Sequence, residues 1–298
     1  MLPSLVIMAI TVLVSACGLN DNRAAELRTF PLSVSNLGSS AIQAIPGETI
    51  TVMTLNLAHG RKDSINQWML SSEEIHENLD TIARYLKQSN VDVVALQEAD
   101  SPSSWSGDFN HVAYLAEKSG YQYFVHTPHA QMWMANYGTA IMSRWPISNA
   151  RGLTYASTPP TPSKGFTMAQ ILWRNSALDE AAVPIDVISI HLDFSRKSVR
   201  RQQVEELGKV IGQRTYPLII MGDFNSEWLA EDYLIQNTAD SSKLHTFHST
   251  GADLTTYKDK RLDWILADQR LDFSSYQVEQ EVLSDHKAII ATLFWRKI

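Results

Sequence analysis

The sequence predicts an α/β sandwich, and three observations carry that reading. Apolar runs of strand length alternate with amphipathic segments of helix length. A strand, helix, strand unit occurs twice, so the architecture repeats although the residues of the two halves do not. A polar group stands where each of several apolar runs stops: Asn56, Gln97-Glu98, His191, Gly222-Asp223-Phe224-Asn225, Asp263 and Ser284-Asp285-His286.

Taken in order, Thr51 to Leu57 reads as a strand running into Asn56. A helix follows over 71–89: Ser71 and Glu74 have capping-box spacing, and Ile75, Leu79, Ile82, Ala83 and Leu86 share a face. Val91 to Leu96, apolar but for Asp92, reads as a strand that delivers Glu98. Segments 121–125, 138–142 and 166–173 read as further strands. Ile185 to Leu192 is a strand carrying His191. The helix after it, over 195–213, places Val199, Val204, Leu207 and Ile211 near its inner face, and Tyr216 to Met221 is the apolar strand before Asp223. Leu262 to Ala267 and Ala288 to Trp295 complete the set. No Gly/Pro-rich linker divides 48–298, and Thr158-Pro159-Pro160-Thr161-Pro162 reads as a loop, so this stretch is one domain.

An apolar content of 44% with 19% charged residues is that of a globular chain, which excludes the disordered and collagenous classes. A formal net charge of -7 argues against tight, non-specific duplex binding, which needs basic surface; a local basic patch could still serve a nuclease. Cys17 is the only cysteine, so no internal disulfide forms. It closes an uncharged, mostly apolar stretch that is shorter than the roughly 20 residues of a membrane span but has the size of a signal-peptide core. Val14-Ser15-Ala16-Cys17 resembles the lipobox of bacterial lipoproteins, without the usual basic residue ahead of it. The expectation is a signal over 1–17, a lipid on Cys17, a polar tether over 18–47, and a place in the bacterial cell envelope. Gly18 in place of an inner-membrane Asp favours the outer membrane. A plain secretory peptide is the alternative.

Direction ties the polar clusters together. Asn56, Glu98, His191 and Asp223 stand at the ends of their strands, whereas Asp263 and Asp285-His286 stand at the starts of theirs. If the late strands run antiparallel to the others, all of these groups line one rim, where open sheets place ligands. There they form an oxygen-rich cage with an imidazole beside it, the equipment for metal-assisted attack on phosphorus. Each cluster alone has a plainer reading: an Asx turn for Gly222 to Asn225, a cap or solvated loop for Ser284 to His286, a surface carboxylate for Glu98.

As a set, Leu55-Asn56-Leu57, Leu96-Gln97-Glu98, Gly222-Asp223-Phe224-Asn225, Leu262-Asp263-Trp264-Ile265 and Ser284-Asp285-His286 resemble the endonuclease/exonuclease/phosphatase superfamily over residues 48–298. The resemblance implies a four-layer αββα sandwich of two mixed sheets flanked by helices, and Mg²⁺-dependent hydrolysis of phosphoester bonds, with Mn²⁺ as the alternative ion. It makes Glu98 the principal metal ligand, with Asn56 and Asp285 nearby, a donor set suited to a hard cation. His286 would take the proton of the attacking water and Asp263 would orient it, a choice resting on the near-neutral titration of an unperturbed imidazole. Asp223 and Asn225 would position the water and phosphoryl group, and His191 would donate to a non-bridging oxygen. Two departures stand out. Ala58 replaces a second acid that some relatives carry, and the family's mid-chain Tyr or Arg has only Tyr137 as a candidate.

Two features bear on the substrate. Arg196, Lys197, Arg200 and Arg201 open a helix and would hold a second phosphate or an anionic headgroup, or else form a solvated face. Met132, Trp133, Met134 and Tyr137, with Trp105, would form an apolar lip toward lipid, or else pack a loop onto the core. The expected activity is that of a monomeric, lipid-anchored phosphodiesterase acting on lipid headgroups or other small extracytoplasmic phosphodiesters. A secreted nuclease, with nucleic acid as substrate, is the first rival; a non-catalytic surface lipoprotein on the same fold is the second.

Overall fold

The computed structural model of the chain describes residues 28–30, 35–36, 44–174 and 182–296, so Cys17 and its signal-like stretch lie outside it. Among these residues two seven-stranded mixed sheets pack face to face, with two helices on each outer face. The strands are β1 (Arg28–Phe30), β2 (Ser35–Asn36), β3 (Thr49–Asn56), β4 (Val93–Asp100), β5 (Tyr123–Gln131), β6 (Asn136–Ser143), β7 (Ile147–Thr154), β8 (Gly165–Trp173), β9 (Val183–His191), β10 (Leu218–Asp223), β11 (Leu244–His245), β12 (Asp263–Asp268), β13 (Leu271–Val278) and β14 (Ile289–Trp295). The helices are α1 (Ser72–Gln88), α2 (His111–Ser119), α3 (Lys197–Ile211) and α4 (Leu234–Ser242).

One sheet runs β13-β14-β3-β4-β6-β5-β2 and the other β1-β7-β8-β9-β10-β12-β11. Each is built around a single parallel pair, β3 with β4 and β9 with β10, and the remaining pairings are antiparallel. The repeat visible in the sequence is therefore structural: β3-α1-β4-α2-β5-β6 matches β9-α3-β10-α4-β11-β12. The last hairpin of each half crosses over. β8 pairs with β9 of the second half, and β14 pairs with β3 of the first.

Alternation along the strands sorts side chains into three cores. Ile50, Val52, Val93, Ala95, Val187, Ile219, Met221, Ile265 and Ile289 fill the space between the sheets. Met53, Leu55, Val94 and Leu96 face outward onto Ile75, Leu79, Ile82 and Leu86 of α1. Ile188, Ile190, Ile220 and Leu266 face outward onto Leu207 and Ile211 of α3 and Leu234 and Ile235 of α4. The capping box of α1 forms as its spacing predicts, with Glu74 N donating to Ser71 Oγ at 3.2 Å and Ser71 N donating to Glu74 Oε2 at 2.8 Å.

The structure adds what periodicity does not reveal: α2, α4, β7 and β13. It also trims the second long helix to Lys197–Ile211. Part of the expected tether is not a tether. Arg28–Phe30 pairs with β7, Ser35–Asn36 pairs with β5, and Ile45 is buried beside Trp173, because strands at open sheet edges offer unpaired backbone groups that an extended chain satisfies.

Candidate active site

Parity explains how the rim is furnished. Along β3 the inward positions are Ile50, Val52, Thr54 and Asn56; along β9, Val187, Ser189 and His191; along β10, Ile219, Met221 and Asp223. Each series thus turns polar as its strand reaches the open end of the interface. Beneath the rim, Gln97 ties the sheets together: its Nε2 donates to Ser189 Oγ at 3.0 Å and its Oε1 accepts from Thr54 Oγ1 at 3.2 Å. Glu98 breaks the alternation. It sits in a bulge of β4 with φ 47°, in the left-handed region, which releases its carboxylate from the ladder toward the cleft. In Gly222-Asp223-Phe224-Asn225 the glycine is obligatory: φ is +146°, and a Cβ there would lie 2.0 Å from Ile190 O.

The predicted residues meet. A cleft of ≈ 600 Å³ is lined by Asn56, Glu98, His191, Arg200, Asp223, Asn225, Asp285 and His286, with Arg61 and Tyr257–Lys260. Asn56 Nδ2 donates to Asp223 Oδ2 at 3.1 Å, across the two sheets. Asn225 N donates to Asp223 Oδ1 at 2.9 Å, and Asn225 Nδ2 is held by Leu192 O at 3.1 Å. His286 Nδ1 donates to Asp263 Oδ2 at 2.8 Å, while Thr256 Oγ1 accepts from the Asp263 backbone at 3.1 Å. His191 Nε2 lies 3.6 Å from Asp223 Oδ2 and 3.9 Å from Glu98 Oε1.

Three expected residues stand differently. Arg196 is turned away: its guanidinium donates to Pro159 O, Thr158 O and Thr161 Oγ1 and pairs with Asp193, pinning the 158–161 loop. Arg200 stays at the cleft, donating to Asp193 O at 3.0 Å. Tyr137 is buried, its ring set edge-on to that of His59 with centroids 4.5 Å apart. Asp285 is paired with Arg61 at 2.6 Å.

Glu98 is held by groups that lie outside the motif set. His59, itself at φ 57°, lies between two carboxylates, with Nε2 3.2 Å from Glu98 Oε2 and Nδ1 2.8 Å from Asp100 Oδ2. Asp100 is braced in turn by Trp105 Nε1 at 2.9 Å and Ser103 Oγ at 3.2 Å. On the other side, buried Lys164 places Nζ 3.1 Å from His191 Nε2 and 3.9 Å from Glu98 Oε1. Lys164 is thus a buried cation beside His191 and Glu98, in none of the motifs of the sequence.

Charge is distributed unevenly. For Glu98 burial acts upward, but His59, Lys164, His286 and Arg61 outweigh it and hold the carboxyl below its ordinary range. Asp223 goes the other way, pushed up to about 7 by burial and the neighbouring Asp263. His286 is pushed up to about 10: burial acts downward, and Asp263, Asp223 and Asp285 override it. The unperturbed imidazole assumed from sequence is therefore replaced by one strongly biased to the cationic form. Burial and Lys164 keep His191 neutral. His59 is held above its ordinary value, because Glu98 and Asp100 overcome its burial.

The donor chemistry fits a divalent cation. Oxygen donors from two carboxylates and an amide, Glu98, Asp285 and Asn56, open on one cleft, as a hard cation requires. Asn56 Oδ1 accepts only from Ala58 N at 3.0 Å, which leaves a lone pair free. Asp263 Oδ1 is buried with no hydrogen-bond partner, and Asp223, Asp263 and His286 bring ligand atoms within 4.8 Å of one another.

Fold and cleft together define a class, the sandwich hydrolases of phosphoester bonds. The chain belongs to the endonuclease/exonuclease/phosphatase family, whose sequence model matches residues 53–286. Solved structures agree on the fold. A family protein from Leptotrichia buccalis is 19% identical with a TM-score of 0.66, the match covering 83% of this chain and 100% of that one. The human nocturnin catalytic domain with bound sulfate is 16% identical, TM-score 0.63, covering 89% and 97%. Beta toxin from Staphylococcus aureus is 18% identical, TM-score 0.55, covering 81% and 99%. No curated protein matches the sequence.

Proposed function

We propose that the chain is a Mg²⁺-dependent phosphodiesterase, with Mn²⁺ able to substitute, acting outside the cytoplasm from a lipid anchor on Cys17. The observation that carries the reaction is the convergence of Glu98, the Asn56–Asp223–Asn225 net and the His286–Asp263 pair on one cleft. Glu98, with Asn56 and Asp285, would hold the cation. When bound, it supplies charge neutralisation at the phosphoryl oxygens and the leaving group. Asn225 and Asp223 position the attacking water, and His191 and Lys164 face the non-bridging oxygens. His286, fixed through Nδ1 by Asp263, presents Nε2 to the reacting group for proton exchange.

Small phosphodiesters and lipid headgroups are the favoured substrates, and a monomer the working unit. Arg200 at the cleft, with exposed Lys197 and Arg201 beside it on α3, favours a second reading as a secreted nuclease. Sphingomyelin, phosphoinositides, bis(p-nitrophenyl) phosphate, DNA and RNA assayed with and without Mg²⁺ test both. Turnover that is abolished by EDTA and by His286→Ala is expected; turnover indifferent to both overturns the reading. Membrane fractionation of Cys17→Ser tests the anchor, and unchanged retention counts against it. Among the described residues no helix is long and apolar enough to cross a membrane.

A further inference from the structure

Large apolar side chains that remain in water are distributed one-sidedly over this molecule. Among the described residues ten are strongly exposed, and nine of them stand on loops at the end of the sandwich that carries the cleft; only Tyr216, before β10, is at the far end. Scattered surface hydrophobes need no explanation, but their confinement to one end does.

The exposure is highest at projecting tips. Ile65 is 102% exposed, Met69 79% and Trp68 63% on the loop after β3; Trp133 is 95% and Met132 48% exposed in the β5–β6 hairpin; Phe194, after β9, is 60% exposed. The first two loops are braced against one another. The Trp68 ring lies 6.1 Å from Trp105, and Trp105 N donates to Met134 O across to the hairpin. From Trp105 the rings continue inward, to Tyr137 at 6.0 Å and to His59 at 4.7 Å, and His59 holds Glu98. The apolar tips and the candidate metal ligand are thus parts of one packed unit.

Basic residues are interleaved with these tips. Lys62 and Asp63 precede Ile65, Arg201 follows Phe194, and Lys258 and Lys260 edge the cleft, whereas Glu227, Glu231 and Glu281 stand beside Leu229, Tyr233 and Val282 and Lys197 is paired with Glu231. A protein partner would be met by a continuous face. Separate Trp, Ile, Met and Phe tips set among lysines and arginines match instead the interfacial zone of a bilayer, where aromatic rings enter the headgroup layer and cations meet lipid phosphates.

We propose that this end of the molecule docks on a lipid surface, with the β3–α1 loop and the β5–β6 hairpin entering the headgroup layer, so that the substrate is a phosphodiester borne by a membrane lipid. The proposal rests on the phosphodiesterase reading and narrows it to one substrate class. It differs from the N-terminal anchor, because it orients the cleft toward the membrane rather than merely tethering the chain near it.

The test uses the full chain carrying Cys17→Ser, with one cysteine introduced as Trp133→Cys or, at the far end after α3, as Gln213→Cys, each bearing an environment-sensitive fluorophore. The probes are phosphatidylcholine vesicles with and without phosphatidylglycerol. A blue shift at position 133, larger with the anionic lipid, and none at 213 is expected, and the label reports local insertion whatever residues 2–16 do. Trp133→Asp and Ile65→Asp should each lower hydrolysis of vesicle lipid about tenfold, the scale of one large apolar side chain kept in water, and leave hydrolysis of bis(p-nitrophenyl) phosphate unchanged. No shift at 133, or vesicle turnover unaffected by both substitutions, overturns the proposal. A chain that inserts but hydrolyses neither the soluble ester nor the lipid overturns the phosphodiesterase reading instead, so the two failures are distinguishable.

Discussion

The two halves of the sandwich place a carboxylate at equivalent strand ends, Glu98 after the core of β4 and Asp223 at the end of β10, and their surroundings drive the two in opposite directions. Glu98 has His59 and Lys164 against it and is held anionic below its ordinary range, whereas Asp223, buried beside Asp263, rises to about 7. The repeated architecture carries a symmetric rim and an asymmetric chemistry. One half offers a fixed anion suited to a cation; the other offers groups poised to exchange protons and orient water. The same division recurs before the last strand of each half, where Lys164 stands ahead of β8 and His286 ahead of β14.

The sharpest way to break this comparison is to neutralise each carboxylate separately. Glu98→Gln and Asp223→Asn should each lower turnover on the order of a thousandfold. Only Glu98→Gln should weaken Mn²⁺ binding, followed by calorimetry; equal weakening in both variants would remove the division of labour. A smaller effect is expected at His59, which would act on a cation only through Glu98. His59→Ala frees that carboxylate, and Mn²⁺ affinity should fall roughly 10–100-fold, with His59→Gln recovering part of it. An unaltered affinity would make the His59–Glu98 contact incidental.

A last expected effect concerns stability alone, at a place where the halves differ in length. β5 spans nine residues and its counterpart β11 two. β5 carries His129, buried between Thr154 and Thr139. Burial, with His126 and Lys164 nearby, holds its imidazole down to about 3. The unfolded chain binds that proton near 6.5, so the stabilisation is complete above that pH and drains away as the pH falls toward 3. The unfolding free energy from urea melts should drop on acidification by about 1.4 kcal/mol per pH unit from this residue. His129→Gln should flatten that slope, and an unchanged slope would place the acid sensitivity elsewhere.

Much of this arrangement was legible in the chain. Val93 to Leu96 and Leu218 to Met221 bury both faces, so their unbroken apolar runs marked central strands, and the polar residues at their ends marked the rim. What escaped notice did so for physical reasons. α2 and α4 are nine residues each, too short for a helical period to stand out, and the outer face of β13 is polar. Lys164 lies in a Ser- and Pro-containing loop where a lone lysine reads as solvated; only the folding of 155–164 over His191 buries it. Nothing local to His59 indicates that a left-handed turn aims its ring between Glu98 and Asp100. Arg196 misled in the opposite sense: a cation at a helix start suggested an anion site, but loop carbonyls claim it.

The exchanged hairpins have a consequence for how the molecule must fold. β7–β8 and β13–β14 each leave their own half to complete the opposite sheet. A fragment ending near residue 174 would leave the long edge of β3 without β14, and β8 without β9. Such bare edges are templates for aggregation rather than stable folds. Neither half can be matured, inspected or discarded alone. The cleft comes into existence only when the whole chain has closed, and any trace of activity is at once a report that folding is complete.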